Sequence, residues 1–196
     1  GLKPAPGQNS YIQEYNFTHW YVRTIQERNV IGYLKGTDPD LRNEYVTISA
    51  HFDHLGIKSP IDGDSIYNGA DDDASGIAAM LGIARIIKST KAKPGRSIVF
   101  IAFSGEEMGL KGSKYYVQNP LFPLDATYLN INFEMLGQCK NLGKCKYYIT
   151  GPSFSNIDEI VKQYNSVGQW QIDESVKNAE RLFLQADNKS FAVVKK

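Results

Sequence analysis

Ser97-Ile98-Val99-Phe100-Ile101-Ala102-Phe103, followed at once by Ser104-Gly105-Glu106-Glu107, is the stretch whose reading decides the fold. Seven uncharged residues, mostly β-branched or aromatic, form the pattern of a central strand covered on both faces. The two glutamates then mark where that strand leaves the interior. Upstream, Tyr45 to Ala50 reads as a second short apolar strand, ending at His51-Phe52-Asp53-His54. Downstream, Ala126 to Phe133 reads as a third, ending at Glu134. Between the first two lies Gly76 to Lys88, a helix apolar nearly all round and therefore expected to be buried. Strands and helices alternate, which predicts an α/β fold: a mostly parallel central β-sheet flanked by helices. Open sheets of this kind bind ligands beyond the carboxyl ends of their strands.

The remaining elements follow by the same signals. The chain up to about Phe17 reads as irregular. Thr18 to Gln26 and Asn29 to Gly36 read as two strands joined by a short polar turn. Thr37-Asp38-Pro39-Asp40 is a turn, and Asp62 to Ser75 a long loop rich in Gly and Asp. Ser113 to Gln118 is a short helix, Lys146 to Thr150 a short strand, Ser155 to Val167 a helix, and Asn188 to Val194 the start of a last helix.

The chain has 196 residues, enough for one domain with a real core, and no internal repeat. A net charge of +1 implies no nucleic acid or other acidic polymer as partner. No apolar run is long enough to span a bilayer. The opening Gly1-Leu2-Lys3-Pro4-Ala5-Pro6-Gly7 has neither the basic-then-apolar pattern nor the cleavage pattern of a signal peptide. Oligomeric state is not legible. Cys139 and Cys145 are two thiols in a polar loop or a disulfide closing a small loop in an exported protein, and spacing does not decide between them. No further Cys or His lies nearby to complete a zinc site with them.

Four clusters gather at the strand ends: His51-Phe52-Asp53-His54, Asn68-Gly69-Ala70-Asp71-Asp72-Asp73-Ala74-Ser75-Gly76, Ser104-Gly105-Glu106-Glu107 and Glu134. Each has an ordinary explanation. A lone His is most often a satisfied core residue, Asp73 or Ser75 can cap the helix that follows, and paired Glu is common on surfaces. Their joint placement on one rim is not ordinary. Crowded carboxylates repel unless a cation compensates, and these segments contain no Lys or Arg. A bound metal is the natural counter-charge. Mixed His and carboxylate donors suit Zn²⁺ better than Mg²⁺ or Ca²⁺, with Mn²⁺ and Co²⁺ left open. A carboxylate of the Asp triplet is placed to bridge two metals. Strand alternation puts Asp53 on the same side as His51, where it can hold the imidazole.

These motifs, with Glu106-Glu107-Met108-Gly109-Leu110-Lys111-Gly112-Ser113 and Asn132-Phe133-Glu134-Met135, resemble the M28 family of zinc aminopeptidases from about Asn29 to Phe191. The resemblance implies a single zinc-peptidase catalytic domain over residues 1–196, partial at both ends, with the aminopeptidase-like fold. It implies two Zn²⁺ ions and a peptide substrate. His51 and Glu134 ligate the first zinc, Asp72 bridges both, Glu107 ligates the second, Glu106 is the general base and Asp53 orients His51. It also implies a cis Asp72–Asp73 peptide and a periplasmic or secreted protein.

Two departures stand out. Glu134 occupies a position where the family usually has Asp. The family's last His ligand lies well downstream of a segment like Leu184-Gln185-Ala186-Asp187-Asn188-Lys189-Ser190-Phe191, beyond Lys196. His19 is expected far from the rim and His54 in the loop after its motif, so the first metal position reads as the more complete. The implied activity is metallo-exopeptidase, most readily an aminopeptidase; the alternative is a non-catalytic binding domain or inactive fragment. His51 at the first position argues against a one-zinc acyltransferase of the glutaminyl-cyclase kind.

Overall fold

The apolar run around Phe100 is the middle strand of a five-stranded sheet in this computed structural model, which describes residues 1–19, 23–137, 146–165, 170–176 and 178–194. The strands of that sheet are β1 (Ile12–His19), β2 (Arg23–Leu34), β3 (Tyr45–His51), β6 (Ser97–Phe103) and β7 (Thr127–Asn132), in the order β1-β2-β6-β3-β7. β6, β3 and β7 are parallel, whereas β2 is antiparallel to β6 and β1 to β2. The sheet is thus mixed, and the expected parallel arrangement is confined to the three strands that carry the rim.

Alternation along β6 builds two cores. Val99, Ile101 and Phe103 face one side, where Ile31, Tyr116, Phe122 and Phe191 close over them. Ile98, Phe100 and Ala102 face the other, against Ile48, Met80, Ile77 and Ile83. The first side is covered by α2 (Lys111–Gln118) and α5 (Asn188–Val194), the second by α1 (Gly76–Ser89). Two smaller helices, α3 (Ile157–Tyr164) and α4 (Ala179–Phe183), lie later in the chain, with a short parallel pair, β8 (Lys146–Tyr147) and β9 (Gln171–Ile172).

Four expectations need correction. Thr18–Gln26 and Asn29–Gly36 are not two strands joined by a turn, since β2 runs unbroken from Arg23 to Leu34. The segment before Phe17 is not irregular, since Ile12–His19 pairs with β2 from Ile12↔Val30 to His19↔Arg23. The Asp62–Ser75 loop includes part of a hairpin, β4 (Gly56–Ile61) with β5 (Asp64–Tyr67), turned at Asp62-Gly63 with positive φ at both residues. The helix α1 is not buried all round: Leu81 and Ile86 are 53% and 61% exposed. One face, not the whole cylinder, lies on the sheet. Cys139 and Cys145 lie outside the described residues.

Ile101→Ala removes a wholly buried side chain from between β6 and its helices. It is expected to lower unfolding free energy by roughly 2–5 kcal/mol. Leu81→Ala, on the outward face of α1, is expected to cost less than about 1 kcal/mol. Urea titration of both variants measures the contrast, and equal losses would mean that α1 is covered on both faces.

Candidate metal centre

Three parallel strands end on one rim and deliver one segment each. β3 ends at His51, which pairs with Phe103 at the end of β6, and Ser49 pairs with Asn132 at the end of β7. The His51 side chain is wholly buried. Its Nδ1 lies 3.0 Å from the Asp53 carbonyl oxygen. A carbonyl only accepts, so Nδ1 carries a proton and Nε2 is the ring atom turned to the rim. The Asp53 carboxylate stands 3.6 Å from the same nitrogen, and also accepts the backbone N–H groups of Glu106 at 3.1 Å and Glu107 at 3.3 Å. Asp53 thus ties the first cluster to the third.

A second carboxylate does more. Asp73 is 1% exposed. It accepts N–H donors from His51 at 3.2 Å, Gly76 at 3.1 Å and Met135 at 3.2 Å. It therefore caps the start of α1 while tying β3 and the loop after β7 to it. Ser75, the other expected cap, instead donates to the Asp71 carbonyl and accepts from the Leu136 N–H. Gly76 must be glycine here, because a Cβ would overlap the Asp73 carboxylate and the Phe133 carbonyl. The Glu106–Glu107 turn is held from below by Asn29, wholly buried in β2, whose amide bonds the Ser104 N–H and the Gly112 carbonyl. The Tyr15 hydroxyl donates to the Ser104 carbonyl at 2.8 Å.

On this frame the side chains form two donor groups. His51, Asp72 and Glu134 offer ligand atoms within 4.8 Å of one another, and so do His54, Asp72 and Glu107. Asp72, with Oδ1 3.0 Å from His51 Nε2 and Oδ2 4.0 Å from His54 Nδ1, belongs to both. His54 Nδ1 and Glu107 Oε1 are 2.8 Å apart. Yet His51 Nε2, His54 Nδ1 and Glu107 Oε1 are all buried without a hydrogen bond. Buried donor atoms that converge without hydrogen bonds are what a cation satisfies, and one nitrogen with two oxygens per group fits Zn²⁺. The Asp72–Asp73 peptide is cis.

All six candidate residues therefore come together. Asp72, Glu107 and Glu134 line the two groups with His51, Glu106 Oε2 stands 4.0 Å from His51 Nε2, and Asp53 lies behind the imidazole. His54, expected simply as a loop residue, gives the second group a third donor, so neither group is shorter than the other. Asp73 and Asn29 were not singled out as site-builders. The only signal for His54 was its spacing of three from His51.

Burial governs the charge states. It pushes Glu106 up from 4.5 to about 8, opposed by His51 and reinforced by Asp187, Glu134 and Glu107. Burial likewise raises Glu134 to about 7, opposed by His51 and reinforced by Asp73, Asp187 and Asp72. Asp73 rises to about 6 by burial, against His51 and its three N–H donors. Burial alone would lower His51, but the bond to Asp53 and the charges of Glu106 and Asp73 outweigh it and lift the imidazole to about 10.

The sequence model of peptidase family M28 matches residues 29–195. A probable zinc metalloprotease of Pyrenophora teres f. teres is 36% identical over 141 residues, covering 67% of this chain and 27% of that protein. The aminopeptidase YwaD of Bacillus subtilis is 36% identical over 114 residues, covering 56% of this chain and 22% of that protein. The crystal structure of BSAP, a zinc aminopeptidase from Bacillus subtilis, superposes with a TM-score of 0.62 at 23% identity, over 88% of this chain and 40% of that one. That last likeness is one of fold. The chain spans 27–29% of the length of the first curated relatives it matches.

All four shifted groups bind protons more tightly folded than unfolded. Below about pH 4 both states are protonated and the carboxylates contribute fully; their contribution is lost as pH rises through about 6 to 8, and that of His51 as pH rises from 6.5 towards about 10. The metal-free chain is therefore expected to lose stability as pH rises between these limits. Zinc, which requires deprotonated ligands, is expected to release protons on binding. Denaturation in chelator across this range, and calorimetry in buffers of different ionisation enthalpy, test both signs. A denaturation midpoint that climbs from pH 5 to pH 9 would contradict the first.

Proposed function

The chain belongs to peptidase family M28, and from that premise we propose that it is the metal-binding part of a zinc-dependent exopeptidase acting as an aminopeptidase on peptide substrates. The observation that carries the reading is the pair of donor groups sharing Asp72. His51, Asp72 and Glu134 would hold one zinc, and His54, Asp72 and Glu107 a second. Zinc held there would supply a water of lowered pKa and polarise the scissile carbonyl.

The chain's own residues do the rest. Glu106 stands beside the first group without belonging to either one. Its carboxylate, 4.0 Å from His51 Nε2, is placed to accept the proton of the attacking water and return it to the leaving amine. The two N–H bonds from Glu106 and Glu107 to Asp53 fix the turn that presents them. His51 is held in the tautomer that faces the metal by the Asp53 carbonyl. The aminopeptidase assignment follows the Bacillus subtilis relative, and a free substrate α-amine would meet the carboxylates of the second group. The reading places the protein in the periplasm or outside the cell. Among the described residues no helix is long and apolar enough to cross a membrane.

The rival reading is a non-catalytic binding domain that keeps the fold, or an inactive fragment, drawn from the family's last His ligand. The approach of His54 to Glu107 supports the enzyme instead. Glu106→Gln is expected to lower kcat on an aminoacyl-arylamide by 10²–10⁴-fold, roughly the contribution of a general base, with zinc content unchanged. Retained activity would remove Glu106 from the mechanism. His54→Ala is expected to reduce bound zinc from two ions to one per chain by elemental analysis. Two ions bound to that variant would show that His54 is not a ligand.

A further inference from the structure

Glu134, like Glu107, has one more side-chain torsion than Asp72, and so more freedom to miss its target. A run of three polar side chains ends on it. Asn130 and Asn132 share one face of β7, and Ser49 lies opposite Asn132 on β3. The Asn130 amide donates to Ser49 Oγ at 3.0 Å. The Ser49 hydroxyl donates to Asn132 Oδ1 at 2.7 Å. The Asn132 amide then donates to Glu134 Oε2 at 3.1 Å.

The direction of this run is fixed. A carboxylate acting as a ligand only accepts, so the Asn132 nitrogen must face Glu134 and its oxygen must face Ser49. Serine has one proton, which goes to Asn132, and its lone pair receives Asn130. Every bond therefore points towards Glu134, and the last is charge-assisted. Ser49 is wholly buried, so the run is anchored in the sheet and not in solvent. With Oε2 occupied, Oε1 is left facing the rim, 3.9 Å from His51 Nε2.

We propose that Asn132, aligned by Ser49 and Asn130, is a positioning residue that locks the Glu134 carboxylate with Oε1 turned to the metal. This rests on the two-metal reading above. The plainer account, a ladder that merely satisfies polar groups at a strand with one described neighbour, requires neither a common direction nor an end on a candidate ligand. It predicts lost fold stability and unchanged metal affinity.

Competition titration of the metal-free chain with zinc and a chromophoric chelator separates the two accounts. Asn132→Ala is expected to weaken one of the two ions by roughly 10–100-fold, the range for removing a partner of a metal ligand. The other ion should be held as in the unchanged chain. Ser49→Ala should act in the same direction but less. Asn132→Asp, isosteric but with no donor, should weaken the same ion at least as much as Asn132→Ala. Cobalt substitution should show an altered visible spectrum at one position only. Melting of each metal-free variant monitors the fold, and if Asn132→Ala does not fold, Asn132→Asp decides. Unchanged affinity in the folded variants, with two ions on the unchanged chain, overturns the positioning role and leaves the peptidase reading standing. No zinc on the unchanged chain overturns both.

Discussion

The carboxylate of Asp73 is the constraint on which the rim depends. Three strands can be parallel and still splay their loops. Here one buried side chain accepts backbone N–H groups from the end of β3, the start of α1 and the loop after β7. A hydrogen bond to a charged group contributes roughly 1.5–3 kcal/mol net, and leaving one of these donors unpaired in the interior costs as much again. The loops therefore have one low-energy arrangement. Asp72 and Glu134, neighbours of the clamped backbone, inherit their positions from it.

Asn29 and Tyr15 do for the Glu106–Glu107 turn what Asp73 does for its neighbours. Both come from the antiparallel side of the sheet, which carries no donor to either metal group among the described residues. That side is not merely a flank. Its polar interior residues reach under β6 and hold Ser104 and Gly112, the two ends of the turn. The parallel strands set where the site is, and the antiparallel pair sets how steady its third loop can be.

What was legible in the sequence was whatever repeats along the chain. The runs Tyr45–Ala50 and Ser97–Phe103, and the rim clusters that follow strands, are periodic or contiguous signals. β1 escaped because its buried positions include Gln13 along with Tyr15, so alternation is present without strong hydrophobic contrast. The β4–β5 hairpin escaped because it buries little, although Asp62-Gly63 is the dipeptide a two-residue hairpin turn favours. α1 departs from the expected burial because hydropathy all round does not require burial all round, and burial of Met80 needs only one covered face. His54, Asp73 and Asn29 share a different reason. Each acts on a residue from another segment, and such pairings are settled by the packing of strands, not by local pattern.

The carboxylates of the rim sort themselves by what they already hold. Asp73 and Asp53 accept backbone N–H groups on both oxygens, and those bonds hold the carboxylates to the backbone. Among the described residues Asp72 and Glu107 accept none, and Glu134 has one oxygen bonded to Asn132 and one turned to the rim. Glu106 accepts none either, but it stands outside both donor groups. The same side-chain chemistry thus takes three forms: carboxylates that brace the backbone, carboxylates left open to a cation, and one left open to a proton. Composition cannot tell them apart. The distinction arises because the sheet brings backbone donors to some and withholds them from others. The burial that raises proton affinity at Glu106 and Glu134 is the same burial that would make a divalent cation the stronger partner for the open ones.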